Sequence, residues 1–385
     1  MRDKKTRIKI CICGGGNEAH ALAGLLGANR DLEIFILTRK PHLWKNYITA
    51  ITPDGREVIG KPCFVSDNPK DVIPQADIIL ISLPSYANLD MITKISPFVR
   101  EGTWVGSLPG TGGFDWLCKK FMGNKARIFG LQRVPYISRI IKYGELVSVS
   151  GIKEELYVAS IPYQEIDCIA RLLEYIFHMK VIKLDNYLAV TLTPSNPILH
   201  PARLYGLFHK WTEGIFHDRE FLFYEEWDLL SSEVLIGCDD EVQNICSCIP
   251  LDLSSVKSLK EHYGVRDKYE MTDKLRSIRA FKGIKAATIR TEHGFIPDIN
   301  SRYFTEDIPY GLAIIRAIAE IAKCPTPTID KVLLWAQCLM NKEYLKDNKM
   351  AGRDINLEST AIPQLFGINN IEKLVHHARF CTDLS

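Results

Sequence analysis

The sequence lacks the features that would direct a chain to a membrane or to nucleic acid. It has no apolar run near the roughly 20 residues that span a bilayer. The basic start MRDKKTRIK precedes an apolar stretch too short for the core of a signal peptide. Its 48 Lys and Arg residues are balanced by 46 Asp and Glu, a formal charge of +2, so no polyanionic partner is favoured. We therefore expect a cytoplasmic protein that binds neither membrane nor nucleic acid.

The sequence also lacks the residue spacing of a metal site. Its eleven cysteines include no CxxC pair, and Cys246 and Cys248 stand alone, so we expect reduced, buried thiols. Two other segments carry histidine or carboxylates close together. We interpret 216–218 as a helix surface and 239–241 as a solvated acidic turn, since neither has the spacing of a zinc site. No metal is predicted.

The first half of the chain alternates between strand-like and helix-like segments. The strand-like runs are IKICIC, LEIFIL, ADIILISLP, GTWVGSLPGTGG and ARIFGLQ, with more near GELVSVSG, ELYVASI and KVIKL, and IDCIARLLEYIF is an intervening helix. This alternation predicts an α/β fold with a parallel, doubly wound sheet. Internal repeats, low-complexity segments and a Pro/Gly/Ser-rich linker are all lacking.

From about residue 187 the alternation gives way to long amphipathic stretches. They include RLYGLFHKWTEG, SSVKSLKEHYG, IPYGLAIIRAIAEIAK and TIDKVLLWAQCLMNKEYL. A chain of 385 residues is also long enough for two cores. We predict a Rossmann-type nucleotide-binding domain over residues 1–185 and an all-α domain over 186–385, with the active site in the cleft between them.

A glycine-rich turn follows the first predicted strand. Gly14, Gly16 and Ala19 fit the spacing GxGxx[GA], with Gly15 and Asn17 between them. In this motif the glycines turn the chain and let backbone approach a pyrophosphate at a helix N-terminus, and the small third residue lets the helix pack on the strand. The strand before it and the helix-prone residues after it favour a dinucleotide site over a merely structural turn.

The end of the second predicted strand bears on which dinucleotide binds. An acidic residue there would bind the ribose 2′-OH of NAD, but the sequence has Thr38, Arg39 and Lys40. A hydroxyl and a guanidinium suit a 2′-phosphate, so NADP(H) is favoured over NAD(H). The alternative is that Arg39 and Lys40 form an exposed loop. The turns LPSYAN, which contains Pro84, and SLPGTGG follow later strands and are expected to line the same cleft.

Two segments of the helical half carry candidate chemistry. His200 lies between Pro197 and Pro201, where a helix is expected to begin, and Arg302 and Asp307 lie five residues apart. An arginine can clamp a carboxylate, and a carboxylate can orient a histidine. Each also has an ordinary structural alternative: a packed histidine, a helix-capping aspartate and a solvated arginine.

Together, GGGNEAHALA, SNPILHP and SRYFTEDIPYGL resemble the opine dehydrogenases, the octopine/nopaline dehydrogenase group, over essentially the whole chain. The resemblance implies that the second domain is an opine dehydrogenase domain in which His200 is catalytic and Asp307 completes a His/Asp dyad. It also implies that Arg302 binds the carboxylate of a 2-oxo acid and that Asn196 lies near the reacting centre. Glu18 departs from the pattern, since many relatives have a small residue there, and is expected to face solvent or to tune phosphate affinity.

The implied reaction is reductive condensation of an amine with a 2-oxo acid through an imine, using NAD(P)H. Two alternatives remain: a hydroxy-acid dehydrogenase or ketopantoate-type reductase, and a non-catalytic sensor of NADP(H). The sequence identifies neither the amine nor the 2-oxo acid, and it is compatible with a monomer or a homodimer. We expect the aromatic residues of the helical half to belong to the core rather than to the amine pocket: Phe208, Trp211, Phe221, Tyr224 and Trp227.

Overall fold

The computed structural model describes residues 7–380, which divide into two compact units. The first unit runs to Thr191 and resumes at His376, and the second covers Leu192–Val375. The late segment is tied into the first unit by hydrogen bonds. The Tyr187 amide donates to the Ala378 carbonyl at 2.9 Å, and His377 Nε2 lies 3.0 Å from Asp115 Oδ2.

The first unit contains twelve of the strands in the described residues. They are β1 (Ile8–Cys13), β2 (Leu32–Leu37), β3 (Ile48–Ile51), β4 (Glu57–Gly60), β5 (Phe64–Ser66), β6 (Ile78–Ile81), β7 (Trp104–Ser107), β8 (Arg127–Leu131), β9 (Tyr136–Lys142), β10 (Leu146–Ile152), β11 (Glu155–Ile161) and β12 (Lys180–Lys183). Strands β1 and β6 at the centre are apolar and largely buried, as is typical of parallel strands that are covered on both faces.

Eight of these strands form the main sheet, in the order β12-β11-β8-β7-β6-β1-β2-β5. From β5 to β8 all pairings are parallel, which confirms the predicted doubly wound core. At one edge the sheet is mixed, since β11 pairs antiparallel with β8. Short apolar strands do not reveal their direction, which depends on the connections between them.

A separate four-stranded sheet has the order β4-β3-β10-β9. The strand predicted near GELVSVSG is β10, and it lies in this second sheet. Helix α1 (Asn17–Leu26) packs against this second sheet, and a Cβ at Gly24 would lie 2.9 Å from the Ala50 Cβ. The other helices of the first unit are α2 (Pro69–Val72), α3 (Asn88–Ile95), α4 (Phe114–Met122), α5 (Ile166–Phe177), as predicted, and α6 (Leu188–Thr191).

The second unit is helical, as predicted, apart from a small hairpin of β13 (Thr288–Thr291) and β14 (Gly294–Pro297). Its helices are α7 (Asn196–Phe208), α8 (Leu229–Cys248), α9 (Leu259–Tyr263), α10 (Lys268–Ser277), α11 (Arg302–Thr305), α12 (Ala313–Ala322), α13 (Pro327–Leu339) and α14 (Ile371–Arg379), whose last residues belong to the first unit. Among residues 7–380, no helix is both long and apolar enough to cross a membrane.

The predictions for residues 216–218 and 239–241 were both wrong. Residues 216–218 are irregular backbone, where His217 pairs with Phe295 of the hairpin. Residues 239–241 lie within α8, and two of their carboxylates cap other elements. Asp239 Oδ2 accepts from the Leu259 amide at 2.7 Å, and burial raises the pKa of Asp239 to about 6. Glu241 accepts two backbone amides at the start of α13, at 2.6 and 2.9 Å.

The expectation of reduced, buried thiols holds only in part. Four of the free cysteines in the described residues are buried, but Cys63, Cys168 and Cys338 are exposed. The Sγ atoms of Cys248 and Cys324 lie next to each other across 76 residues of sequence, and residue spacing gave no sign of this proximity.

Candidate active site

The glycine turn closes tightly against the end of β6. Gly14 has φ +151°, and a Cβ there would lie 2.5 Å from the Ser82 carbonyl oxygen. Only glycine meets both conditions. Ala19 is fully buried, and its Cβ lies 3.6 Å from the position that a Gly14 Cβ would take. A small residue at Ala19 therefore lets α1 pack closely on β1, as the motif predicts.

The next two glycines leave bare backbone at the start of α1. A Cβ on Gly15 would lie 2.7 Å from the Tyr143 hydroxyl and 2.8 Å from Thr38 Oγ1, whereas one on Gly16 would contact nothing within 4 Å. Gly16 is the N-cap of α1 and supplies no side-chain cap. A helix N-terminus with open space beside it can accept a pyrophosphate, so these residues fit a dinucleotide.

His20 braces this turn, a role that the sequence interpretation missed. Its Nδ1 donates to the Gly16 carbonyl at 2.8 Å, and its Nε2 accepts from the Gly144 amide at 2.8 Å. Burial lowers the pKa of His20, which keeps the ring neutral and able to make both bonds. The ring also stacks on Trp44, with centroids 4.2 Å apart. The histidine thus joins the glycine turn to the β9–β10 turn that carries Tyr143.

Asn17 and Glu18 follow the glycines, and both side chains point into the protein. Asn17 Oδ1 accepts from the Ile140 amide at 2.8 Å, so this side chain anchors β9 to α1. Glu18 does not face solvent as one expectation had it. Its Oε1 is buried and makes no hydrogen bond within the described residues. Burial raises the pKa of Glu18 to about 8, against a backbone hydrogen bond from Tyr136 that lowers it.

The other predicted cofactor residues lie at the carboxyl ends of strands, where ligands of doubly wound sheets bind. Thr38 follows β2 and is 7% exposed, whereas Arg39 is exposed. Pro84 follows β6 and precedes a 3-10 turn. The turn after β7 approaches that segment closely, since a Cβ on Gly112 would clash with the Ser85 side chain.

In the second unit, His200 and Asp307 form a buried pair. His200 Nδ1 lies 2.7 Å from Asp307 Oδ2, and the two side chains are 8% and 10% exposed. An ionised carboxylate can only accept hydrogen bonds, so Nδ1 carries the proton and Nε2 is left as the acceptor in the neutral ring. The alternative that Asp307 caps the following helix is wrong, since its side chain makes no cap bond.

Local backbone geometry brings the two residues together. Helix α7 begins at Asn196, so His200 lies on its second turn rather than at its start, and Pro201 is inside the helix. Asp307 precedes a π-helical turn, Ile308–Leu312, in which the Leu312 amide donates to the Asp307 carbonyl at 2.8 Å. Such wide turns are rare and occur often at functional sites.

Aromatic rings enclose the His200 imidazole. The Tyr303 ring lies 4.3 Å away between centroids, and the Phe223 ring contacts it edge to face at 5.4 Å. The Tyr224 hydroxyl lies 3.3 Å from His200 Nε2. Among the aromatics assigned to the core, Phe208 and Trp227 are fully buried, but Tyr224 also reaches the candidate site.

Of the two predicted substrate-binding residues, Asn196 lies on the helix that carries His200, and Arg302 lies on the short helix that precedes Asp307. Asn196 is exposed and lies one helical turn before His200, on the same face of α7. Arg302 begins α11, is 65% exposed and donates from Nε and Nη2 to Glu306 Oε2 at 2.9 and 2.6 Å. Across residues 7–380, no three His, Cys, Asp or Glu side chains are grouped to hold a metal ion.

Residues 183–340 match the family model for the NAD/NADP octopine/nopaline dehydrogenase, alpha-helical domain. Tauropine dehydrogenase from Arabella iricolor is 31% identical, over 96% of this chain and 100% of that protein. The chain belongs to the opine dehydrogenase family. Octopine dehydrogenase solved with NADH and L-arginine superposes with a TM-score of 0.83 at 27% identity, over 95% of this chain and 97% of that one. The same enzyme solved with NADH and pyruvate also gives 0.83, at 26% identity, over 96% and 98%.

Family membership confirms the resemblance drawn from the three motifs and makes this chain an oxidoreductase of the opine dehydrogenase type. It also confirms the Rossmann-type fold followed by a helical opine dehydrogenase domain.

Proposed function

We propose that this opine dehydrogenase relative catalyses the reductive condensation of an amino acid or another amine with a 2-oxo acid such as pyruvate. The buried His200–Asp307 pair, in a family that includes tauropine and octopine dehydrogenases, is the observation that carries the proposal. Octopine dehydrogenase solved with L-arginine and with pyruvate supports the two substrate classes.

In this mechanism His200 moves protons at Nε2. As the neutral base it takes a proton from the ammonium group of the amine, which then attacks the keto carbon. The imidazolium returns that proton to the hydroxyl of the adduct, which leaves as water when the imine forms. Asp307 keeps the proton on Nδ1 and stabilises the imidazolium. General acid–base catalysis of this kind contributes about 10²- to 10⁴-fold.

Arg302 is proposed to bind the 2-oxo acid carboxylate. Its exposed guanidinium can be reached from solution, and a carboxylate can take two parallel hydrogen bonds from it. The substrate would join or replace Glu306 as its partner. Asn196, one turn before His200 on α7, is proposed to contact the substrate beside the imidazole.

The nicotinamide dinucleotide supplies the hydride when bound, and the first unit is proposed to hold it. The bare backbone of Gly14, Gly15 and Gly16 and the N-terminus of α1 would take the pyrophosphate. We propose that NADPH is preferred, because Thr38 and Arg39 replace the acidic residue that favours NAD. Arg39→Ala should then raise the KM for NADPH and leave that for NADH nearly unchanged, and equal effects would contradict this preference.

The test is a matrix of amino acids against 2-oxo acids, read by consumption of NADH and NADPH. We expect consumption that depends on both substrates. Oxidation without an amine would favour the hydroxy-acid or ketopantoate-type alternative, and cofactor binding without turnover would favour a sensor. His200→Ala should lower kcat by about 10²-fold or more with cofactor affinity unchanged. His293→Ala, at an exposed histidine of the second unit, is the matched control.

A further inference from the structure

In the proposed mechanism Nε2 of His200 faces the substrate, and this atom already has a hydrogen-bond partner. Asp307 holds the proton on Nδ1, so Nε2 of the neutral ring is an acceptor, and the Tyr224 hydroxyl is placed to donate to it at 3.3 Å. When Nε2 becomes protonated, the same hydroxyl oxygen can accept from it instead. Tyr224 can therefore follow the imidazole through both of its protonation states.

A buried arginine fixes the segment that carries Tyr224. Arg203 is fully buried, one turn after His200 on α7, and its Nη1 donates to Asp228 Oδ2 at 2.8 Å. Burial lowers the pKa of Arg203 to about 10, and the nearby Asp228 opposes that change, so the guanidinium stays charged at neutral pH. It also donates to three carbonyl oxygens around the tyrosine, those of Phe223 at 2.8 Å, Glu226 at 2.6 Å and Leu222 at 3.4 Å.

Ring packing fixes the side chain as well. The Tyr224 ring is 5% exposed and stacks on Phe281, with centroids 4.1 Å apart and planes 22° apart. Trp227 also stacks on the Tyr224 ring, with centroids 6.1 Å apart and planes 11° apart. This packing holds the hydroxyl near Nε2 of His200, a contact that phenylalanine in the same place would lack.

We propose that Tyr224 is a catalytic residue whose hydroxyl relays the proton between Nε2 of His200 and the substrate. The inference rests on the proposed function. As water leaves, Tyr224 gives its proton to the departing hydroxyl of the adduct and receives one from Nε2. The C–O bond breaks, the nitrogen lone pair forms the C=N bond, and His200 returns to its neutral form. In the first step the same two transfers run in reverse, from the ammonium group through Tyr224 to Nε2.

The test compares Tyr224→Phe with Tyr269→Phe, whose phenol on α10 is 59% exposed. Removing a hydrogen bond to a group that becomes charged should lower kcat by about 10- to 100-fold at Tyr224. We expect KM for the 2-oxo acid and the affinity for cofactor to change by less than about twofold, and the solvent deuterium isotope effect on kcat to change only in this variant. Tyr269→Phe should match the wild type.

A second measurement keeps the test decisive should Tyr224→Phe not fold. Replacement of Tyr224 by 3-fluorotyrosine keeps the shape and the hydroxyl but makes the phenol more acidic. The relay predicts that the alkaline limb of the kcat profile moves to lower pH, which packing alone would not cause. An unmoved profile would overturn the proposal, as would unchanged or increased kcat in Tyr224→Phe. Increased kcat would mean that the hydroxyl occupies the substrate position and must move away.

Failure of the relay and failure of the proposed function give different results. Wild-type protein that reduces a 2-oxo acid without any amine would refute the amine condensation. The comparison of Tyr224→Phe with wild type would still test the relay there, because the carbonyl oxygen also needs a proton. Amine-dependent turnover with an unaffected Tyr224→Phe variant would refute the relay alone.

Discussion

Glu18→Gln should make the protein more stable, and increasingly so as the pH rises from 5 to 8. The folded chain holds this carboxyl on the first turn of α1, with Oε1 buried and without a hydrogen-bond partner in the described residues. Burial raises the pKa of Glu18 from 4.5 to about 8. Glutamine keeps the size and shape of the side chain and does not titrate.

The magnitude follows from proton linkage. Between pH 4.5 and 8 the unfolded chain has released the Glu18 proton and the folded chain still holds it. The unfolded state then binds fewer protons, so the free energy of unfolding falls with pH, by at most about 1.4 kcal/mol per pH unit. Because Glu18 is only half-buried as a whole residue, solvent screening should bring its folded pKa below 8 and so narrow the pH range over which this slope holds. Above pH 8 both states are ionised and the slope vanishes.

Chemical unfolding at pH 5, 6, 7 and 8, followed by the fluorescence of tryptophans in the first unit, measures this slope. The free energy of unfolding of Glu18→Gln should be close to that of the wild type at pH 5 and should exceed it by more at each higher pH. Glu57→Gln, at an exposed glutamate of β4, is the matched control and should differ from wild type by a constant amount. A difference for Glu18→Gln that is constant, or that shrinks as pH rises, would show that the folded carboxyl is already ionised at neutral pH.

Three further predictions use the same structure. Gly14→Ala should lower the free energy of unfolding by about 1–3 kcal/mol because of its positive φ and the clash at the end of β6. Gly16→Ala should change the free energy of unfolding by no more than about 0.5 kcal/mol and yet weaken cofactor binding. Equal unfolding curves for the two variants would contradict this. Asp307→Asn should lower kcat by at least about tenfold, since no carboxylate would then hold the proton on Nδ1 of His200. A binding titration should show unchanged cofactor affinity. A normal kcat would refute the His/Asp dyad. Glu241→Ala should lower the free energy of chemical unfolding by about 1–3 kcal/mol, because two backbone amides at the start of α13 lose their acceptor. An unchanged unfolding midpoint would show that these amides find another acceptor.

The sequence supported the nucleotide-binding fold because its signals are local. The strand, the three glycines and small Ala19 all lie within twelve residues, and each has a steric reason for its place. The His200–Asp307 pair was also anticipated, although its members lie 107 residues apart, because family motifs linked them. Residue patterns alone left both with capping or packing as alternatives.

What the sequence could not reveal depends on contacts between distant segments. The role of His20 requires Gly144, which lies 124 residues away in the β9–β10 turn. The acidic pattern of 239–241 looked like a solvated turn because the backbone amides that it caps belong to other helices. The direction of β11 and the position of Tyr224 at Nε2 likewise follow from topology and from the bonds of Arg203, which no local pattern encodes.

The central claim is that the acceptor of the hydride is an imine formed from two substrates. Mass analysis of the product made with reduced cofactor deuterated at the transferable position tests it most directly. With an amino acid and pyruvate present, the account predicts a secondary amine that carries one deuterium on the former keto carbon. Deuterated hydroxy acid as the main product, whether or not the amine is present, would contradict it.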